Sequence, residues 1–147
     1  MKLDAARRYR AQVEDVLRME LLRARQNLQD AETACHALAA QMQVTAEQYF
    51  VKTSAGMALE EVLEWQATFD AEAAMLTQAR QLEGRFRGEW NQKQNDLRDA
   101  MRDRRTLDRL AERLRLQHRV LQYRIEQMQM DEAARRTSAM GDRHNPL

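Results

Sequence analysis

No proline interrupts this chain before Pro146, and only four glycines punctuate its 147 residues. Nothing between those points removes a helical hydrogen bond or clashes with the preceding turn. Helices of any length are therefore allowed. The one cysteine, Cys35, excludes an intramolecular disulfide framework. Aromatic residues make up 5 %, too little for the core of an ordinary globule, while charged residues reach 32 %. There is no run of about 18 apolar residues, so no segment is expected to span a bilayer. Nor does the N-terminus carry the apolar core of a signal peptide, so a cytoplasmic location is expected.

Chemistry is equally sparse. The sequence has no Gly-rich phosphate loop, no His-Glu-x-x-His and no cysteine pair. His36, His118 and His144 are too scattered to hold a metal. Acidic neighbours such as Glu60 and Glu61 fall on an open helix, where nothing shifts them for acid–base work. We expect no catalytic residue, no metal and no cofactor, and hence no enzyme.

What is present is one uninterrupted apolar repeat. Val62, Trp65, Phe69, Glu72, Leu76, Ala79, Glu83, Phe86, Trp90, Lys93, Leu97, Ala100, Arg104, Leu107, Ala111, Leu114, His118, Leu121, Ile125 and Met128 alternate at threes and fours. Such spacing keeps one seam of a helix against a partner helix. Disorder, the competing reading of so polar a chain, does not hold register over that distance. Leu21, Ala24, Leu28, Ala31, Cys35, Leu38, Met42, Thr45 and Tyr49 form a second such seam, with Ala6, Tyr9, Val13 and Leu17 continuing it upstream across a stutter. Cys35 therefore packs as a small hydrophobe. His118 falls on the seam, as a partly buried histidine or a pH-sensitive register pin.

Periodicity lapses between Val51 and Met57, around Gly56, where Thr53 or Ser54 could cap the following helix and Glu60, Glu61 and Glu64 suit its positive end. Gly84 and Gly88 leave the register in phase and are not read as breaks. The expected fold is all-α: two long helices in an antiparallel coiled-coil hairpin. It has a helix over 2–50, a turn over 51–57, a longer helix over 58–137 and a flexible tail over 138–147. Folding back at that turn leaves about Leu110 to Arg136 projecting without a partner, an apolar stripe suited to binding or oligomerisation.

The net charge of +1 hides an asymmetry. Residues 1–29 sum to +3, residues 30–83 to −7 and residues 84–147 to +5. A folded-back rod then has basic and acidic ends that suit different partners, while any single charge reads first as part of a solvated helical surface. Between Arg98 and Arg124 the arginines alternate with Asp99, Asp103, Asp108 and Glu112. Self-pairing of that kind speaks against nucleic acid as a partner. The aromatics Tyr49, Phe50, Trp65 and Phe69 bracket the turn, as core or as interaction anchors.

Three stretches carry a resemblance: Tyr9-Arg10, Val13-Glu14, Leu17, Glu20-Leu21 and Ala24 near the start; Ser54-Ala55-Gly56-Met57 followed by Trp65; and Met130-Asp131-Glu132-Ala133 with basic residues after it. In these, in length and in turn position, the chain resembles the FliJ family of flagellar type III export proteins. The resemblance implies a monomeric, non-catalytic stalk, similar in shape to the rotor stalk of rotary ATPases. Its joined chain ends enter the hexameric export ATPase ring and promote ring assembly and activity. Its turn end reaches the cytoplasmic domain of the export-gate membrane protein. Escort chaperones of exported substrates are further partners, and the membrane is approached only through partners, at the cytoplasmic face of the inner membrane. Carried onto this chain, Tyr9, Val13, Leu17, Leu114, Leu121, Ile125 and Met128 face the ATPase ring, and Met42, Tyr49, Trp65 and Phe69 face the gate. The segment before Ser54 is shorter than in relatives, and Thr45 stands where some of them have an aromatic. The competing expectations are the equivalent stalk of a virulence injectisome, a holdase chaperone and a structural homodimeric coiled coil.

Overall fold

The computed structural model describes residues 2–143. Two long helices, α1 (Lys2–Ala55, 54 residues) and α2 (Leu59–Arg143, 85 residues), pack against each other as an antiparallel hairpin. Among the described residues there is no strand.

The turn is tighter than the lapse in periodicity predicts. Thr53 and Ser54 do not cap α2. Their hydroxyls donate back to the carbonyls of Tyr49 (2.7 Å) and Phe50 (2.9 Å), and α1 runs on to Ala55. Gly56 ends it with φ at 95°, and its N–H donates to the Thr53 carbonyl at 3.1 Å, the left-handed closure that glycine adopts without strain. Ala58 accepts the first bond of α2, from Val62 N–H. At the other end α2 continues through the expected tail to Arg143. Gly141 only weakens helix propensity, and no proline precedes it to force a stop. His144 and Pro146 lie outside the described residues.

The chain divides into two compact units, Ala11–Met101 and Met1–Arg10 with Arg102–Leu147. In the first, every seam position of α2 from Val62 to Ala100 is buried or half-buried, as is every α1 position from Leu21 to Tyr49. Ala24, Leu28, Ala31, Cys35, Leu76 and Ala100 are its buried apolar side chains. Small residues predominate because two helices alone form one thin layer. Cross-pairs run antiparallel: Glu20 with Lys93 (2.6 Å), Glu32 with Arg87 (3.1 Å) and Thr45 with Glu72 (2.6 Å). Glu14, 2 % exposed, is a deeply buried acid that apolar periodicity does not reveal.

In the second unit the two helices meet through Arg7–Asp108 (3.0 Å) and Arg10–Asp103 (3.3 Å), beside half-buried Ala6 and Leu107 and buried Ala111. Tyr9 is not on this seam; it is 63 % exposed, and Arg10 takes the inward place. The four-residue stutter downstream rotates the stripe, so the inward positions of α1 in this unit are Leu3, Ala6, Arg7 and Arg10. From Glu112 to Gly141 every residue of α2 is exposed. His118 is therefore solvent-facing rather than partly buried.

Candidate partner-binding surfaces

At the turn end of the first unit, Tyr49 of α1 packs between two rings of α2. Its ring lies 5.3 Å from Phe69, edge-on at 87°, and 5.9 Å from Trp65, while Trp65 and Phe69 are 6.3 Å apart. Each such pair contributes about 0.5–1.5 kcal/mol beyond area burial. The Lys52 ammonium stands 5.3 Å over the Trp65 ring. Met42, Tyr49, Trp65 and Phe69 are all half-buried, so they hold the hairpin together and keep only their edges for a partner. A shallow groove of about 460 Å³ opens beside them, lined by Glu47, Gln48, Val51, Lys52 and Trp65.

The fully solvated stretch of the second unit is the other surface. Leu114 (44 % exposed), Leu121 (56 %), Ile125 (47 %) and Met128 (70 %) carry the heptad register on beyond Ala111. At about 100° per residue, Leu116, Val120, Tyr123 and Met130 lie roughly opposite that stripe, and all four are also exposed. Arg113 and Arg124 border one side and Arg115 and Arg119 the other. A shallow groove of about 350 Å³ runs along Arg113, Leu116, Gln117, Val120, Leu121 and Arg124. The seam stripe was readable from the heptad; the opposite stripe keeps the same 3.6-residue period half a turn out of phase. Tyr9 belongs to this unit and is open to solvent. Val13 and Leu17 belong to the first unit and are half-buried.

Among the described residues no group of three His, Cys, Asp or Glu side chains could hold a metal, and no helix is long and apolar enough to cross a membrane. Two groups are displaced from their ordinary ionisation. Burial, with a hydrogen bond to Glu83, raises the Cys35 thiol, and the hydrogen bond that the Lys93 ammonium donates to Glu20 raises Lys93. Both lie at seam positions.

Comparison with known families gives a match over residues 2–142 to the model of the flagellar FliJ protein. The chain belongs to the FliJ family. Membership makes it a component of the flagellar protein export apparatus, a type III secretion system, in a family of non-catalytic structural proteins. No curated protein and no solved structure matches it. The hairpin thus offers two chemically distinct surfaces, an aromatic, acidic turn end and a basic helix with two apolar stripes.

Proposed function

We propose that this protein is the non-catalytic stalk and adaptor of the flagellar export apparatus. It binds the export ATPase ring, promotes its assembly and activity, couples it to the export gate and serves as a general chaperone in export. The observation that carries this reading is the stretch from Glu112 to Gly141, a helix fully exposed on all sides. Its apolar stripes on opposite faces, separated by arginines, suit a partner that encloses a helix. A groove taking one face would leave the other stripe in water. The ATPase-facing set is then Leu114, Leu121, Ile125 and Met128, with Tyr9, and with Val13 and Leu17 acting through the hairpin that supports them. The gate-facing set is Met42, Tyr49, Trp65 and Phe69, through the ring edges left open at the turn.

Because α1 and α2 bury each other's seam from Leu21 to Tyr49 and from Val62 to Ala100, the working form is a monomer, peripheral at the cytoplasmic face of the inner membrane through its partners alone. The deciding experiment is the rate of the cognate export ATPase with and without this protein, near the concentration at which the ring assembles. Stimulation that saturates near one chain per ring is expected. No stimulation and no co-elution would overturn the reading. A light-scattering mass near twice the 17.3 kDa chain would then identify a homodimer, and suppressed aggregation of unrelated clients a holdase.

A further inference from the structure

The turn end of the first unit carries apolar side chains that its seam does not use. Phe50 is 72 % exposed, Leu59 74 % and Leu63 56 %. Phe50 and Leu63 each follow an inward register position by one residue, Tyr49 on α1 and Val62 on α2, and Leu59 stands one helical turn before Leu63 on the same face of α2. One residue turns a helix by about 100°, so none of the three can enter the layer that Tyr49, Trp65 and Phe69 fill. In an antiparallel pair, the positions just after the seam fall on the same flank of both helices. Phe50, Leu59 and Leu63 therefore share one flank.

Charge tells what kind of partner fits there. Between Glu47 and Asp70 the acids are Glu47, Glu60, Glu61, Glu64 and Asp70, against the single cation Lys52. That cation is engaged over the Trp65 ring and lines the groove of the other flank. Asp70 lies two turns from Leu63 on the same face of α2. Asp70, which follows Phe69 by one residue, shares the triad's flank, and the remaining acids make this whole end of the hairpin net negative. An exposed apolar triad at an acidic end attracts a segment with apolar residues on one side and cations around them.

We propose that Phe50, Leu59 and Leu63 form a docking surface for a basic amphipathic segment of a partner protein. It deepens the reading that the turn end contacts the export gate, in that it rests on the same end of the hairpin. It assigns the contact, however, to side chains outside the aromatic layer. Since all three are exposed, replacing them leaves the hairpin intact.

The test uses a fluorescein-labelled lysine–leucine amphipathic peptide and its glutamate–leucine counterpart, read by fluorescence anisotropy on the full chain. The basic peptide is expected to bind, and the acidic one not. The F50D/L59D/L63D variant and the neutral F50S/L59S/L63S variant are each expected to weaken binding at least tenfold, with unchanged helicity. A control with the same added charge at exposed Ala37, Ala39 and Ala40 (each →Asp) should bind as the parent does. No binding of the basic peptide, undiminished binding to the serine variant, or equal loss in the control overturns the proposal. The cytoplasmic domain of the gate protein serves as a separate probe. Should it fail to bind the parent chain while the basic peptide binds, the gate reading falls and the docking surface stands. Should it and the peptide both bind the serine variant as well as the parent, the docking surface falls and the gate reading stands.

Discussion

Thr45 and Glu72 meet at 2.6 Å, hydroxyl to carboxylate Oε1, in the seam between α1 and α2. Thr45 has a single proton for two acceptors, since the Gln41 carbonyl lies 3.0 Å away. The carboxylate oxygen is the nearer acceptor, so it receives the proton. Glu72 Oε2, also shielded from water, has no hydrogen-bond partner. The pair thus fixes one layer of the register at a cost in apolar packing, much as a polar residue does at an inward coiled-coil position.

That arrangement makes opposite predictions for single and double changes. Thr45→Val removes the donor and leaves a carboxylate in the seam, at a cost of about 1–3 kcal/mol. Thr45→Val with Glu72→Leu removes both polar partners and should recover that loss or exceed the parent's stability. Urea unfolding of the four species of the cycle measures this. A double variant no more stable than Thr45→Val would show that the pair does not act as a unit.

The glycines separate backbone strain from packing. A methyl group added at Gly84 or Gly88 meets nothing within 4 Å, and both sit inside α2 with ordinary helical φ. Gly84→Ala and Gly88→Ala should each stabilise the hairpin by about 1 kcal/mol. Gly56 has equal space, yet its φ of 95° is one that alanine resists. Gly56→Ala should destabilise by about 1–2 kcal/mol. Thermal melting followed by circular dichroism should give two upward shifts and one downward shift. An upward shift for Gly56→Ala would mean that the turn relaxes into another closure.

The sequence made the fold class plain because the physical signal is long-range and redundant. From Val62 to Ala111 the register positions turn inward without exception, polar Glu72, Glu83, Lys93 and Arg104 included. The exposed end was legible for the same reason, since α1 is too short to cover it. Local details were less so. Thr53 and Ser54 read as caps, but a hydroxyl can bond back within the helix it terminates. The inward places of Arg10 and Glu14 were hidden because apolar periodicity does not register a buried charge. The partner surfaces were legible only in part. An exposed stripe announces that something covers it, and Leu114 looks the same whatever does.

Lys93 gives a pH dependence with a defined sign. Its ammonium donates to Glu20 Oε2 at 2.6 Å, and that bond raises its pKa above the ordinary 10.5. A raised folded-state value means the contribution is complete below the unfolded-state pKa and disappears as pH climbs through the folded one. Lys93→Met should therefore cost most at pH 8. Its stability should approach the parent's only at an alkaline pH beyond the raised folded-state value, where the parent has lost its proton. Urea midpoints for both chains at the two pH values, compared as differences, cancel the other groups that ionise in that range. A difference that stays constant with pH would mean that Lys93 contributes through its aliphatic stem alone.

The two stripes of the exposed helix allow the enclosing partner to be told from a one-sided one. Leu114 and Leu121 lie on the register face, Leu116 and Val120 roughly opposite, all between 44 % and 56 % exposed. Aspartate at any of them removes no intramolecular packing and costs only helix propensity, on the order of 0.5 kcal/mol each. Leu114→Asp/Leu121→Asp and Leu116→Asp/Val120→Asp should leave helicity nearly unchanged. If the ATPase ring surrounds this helix, both pairs abolish co-elution and stimulation to a similar degree, because each places carboxylates where apolar surface is required. Loss with the first pair alone would mean that the partner is a groove reading one face, and the second stripe would then be open to a different protein. Loss with neither would move the ATPase contact away from the exposed helix altogether. Size-exclusion co-elution and ATPase rates on the same four variants of the ring complex (parent, each pair, and all four changes together) decide among the three.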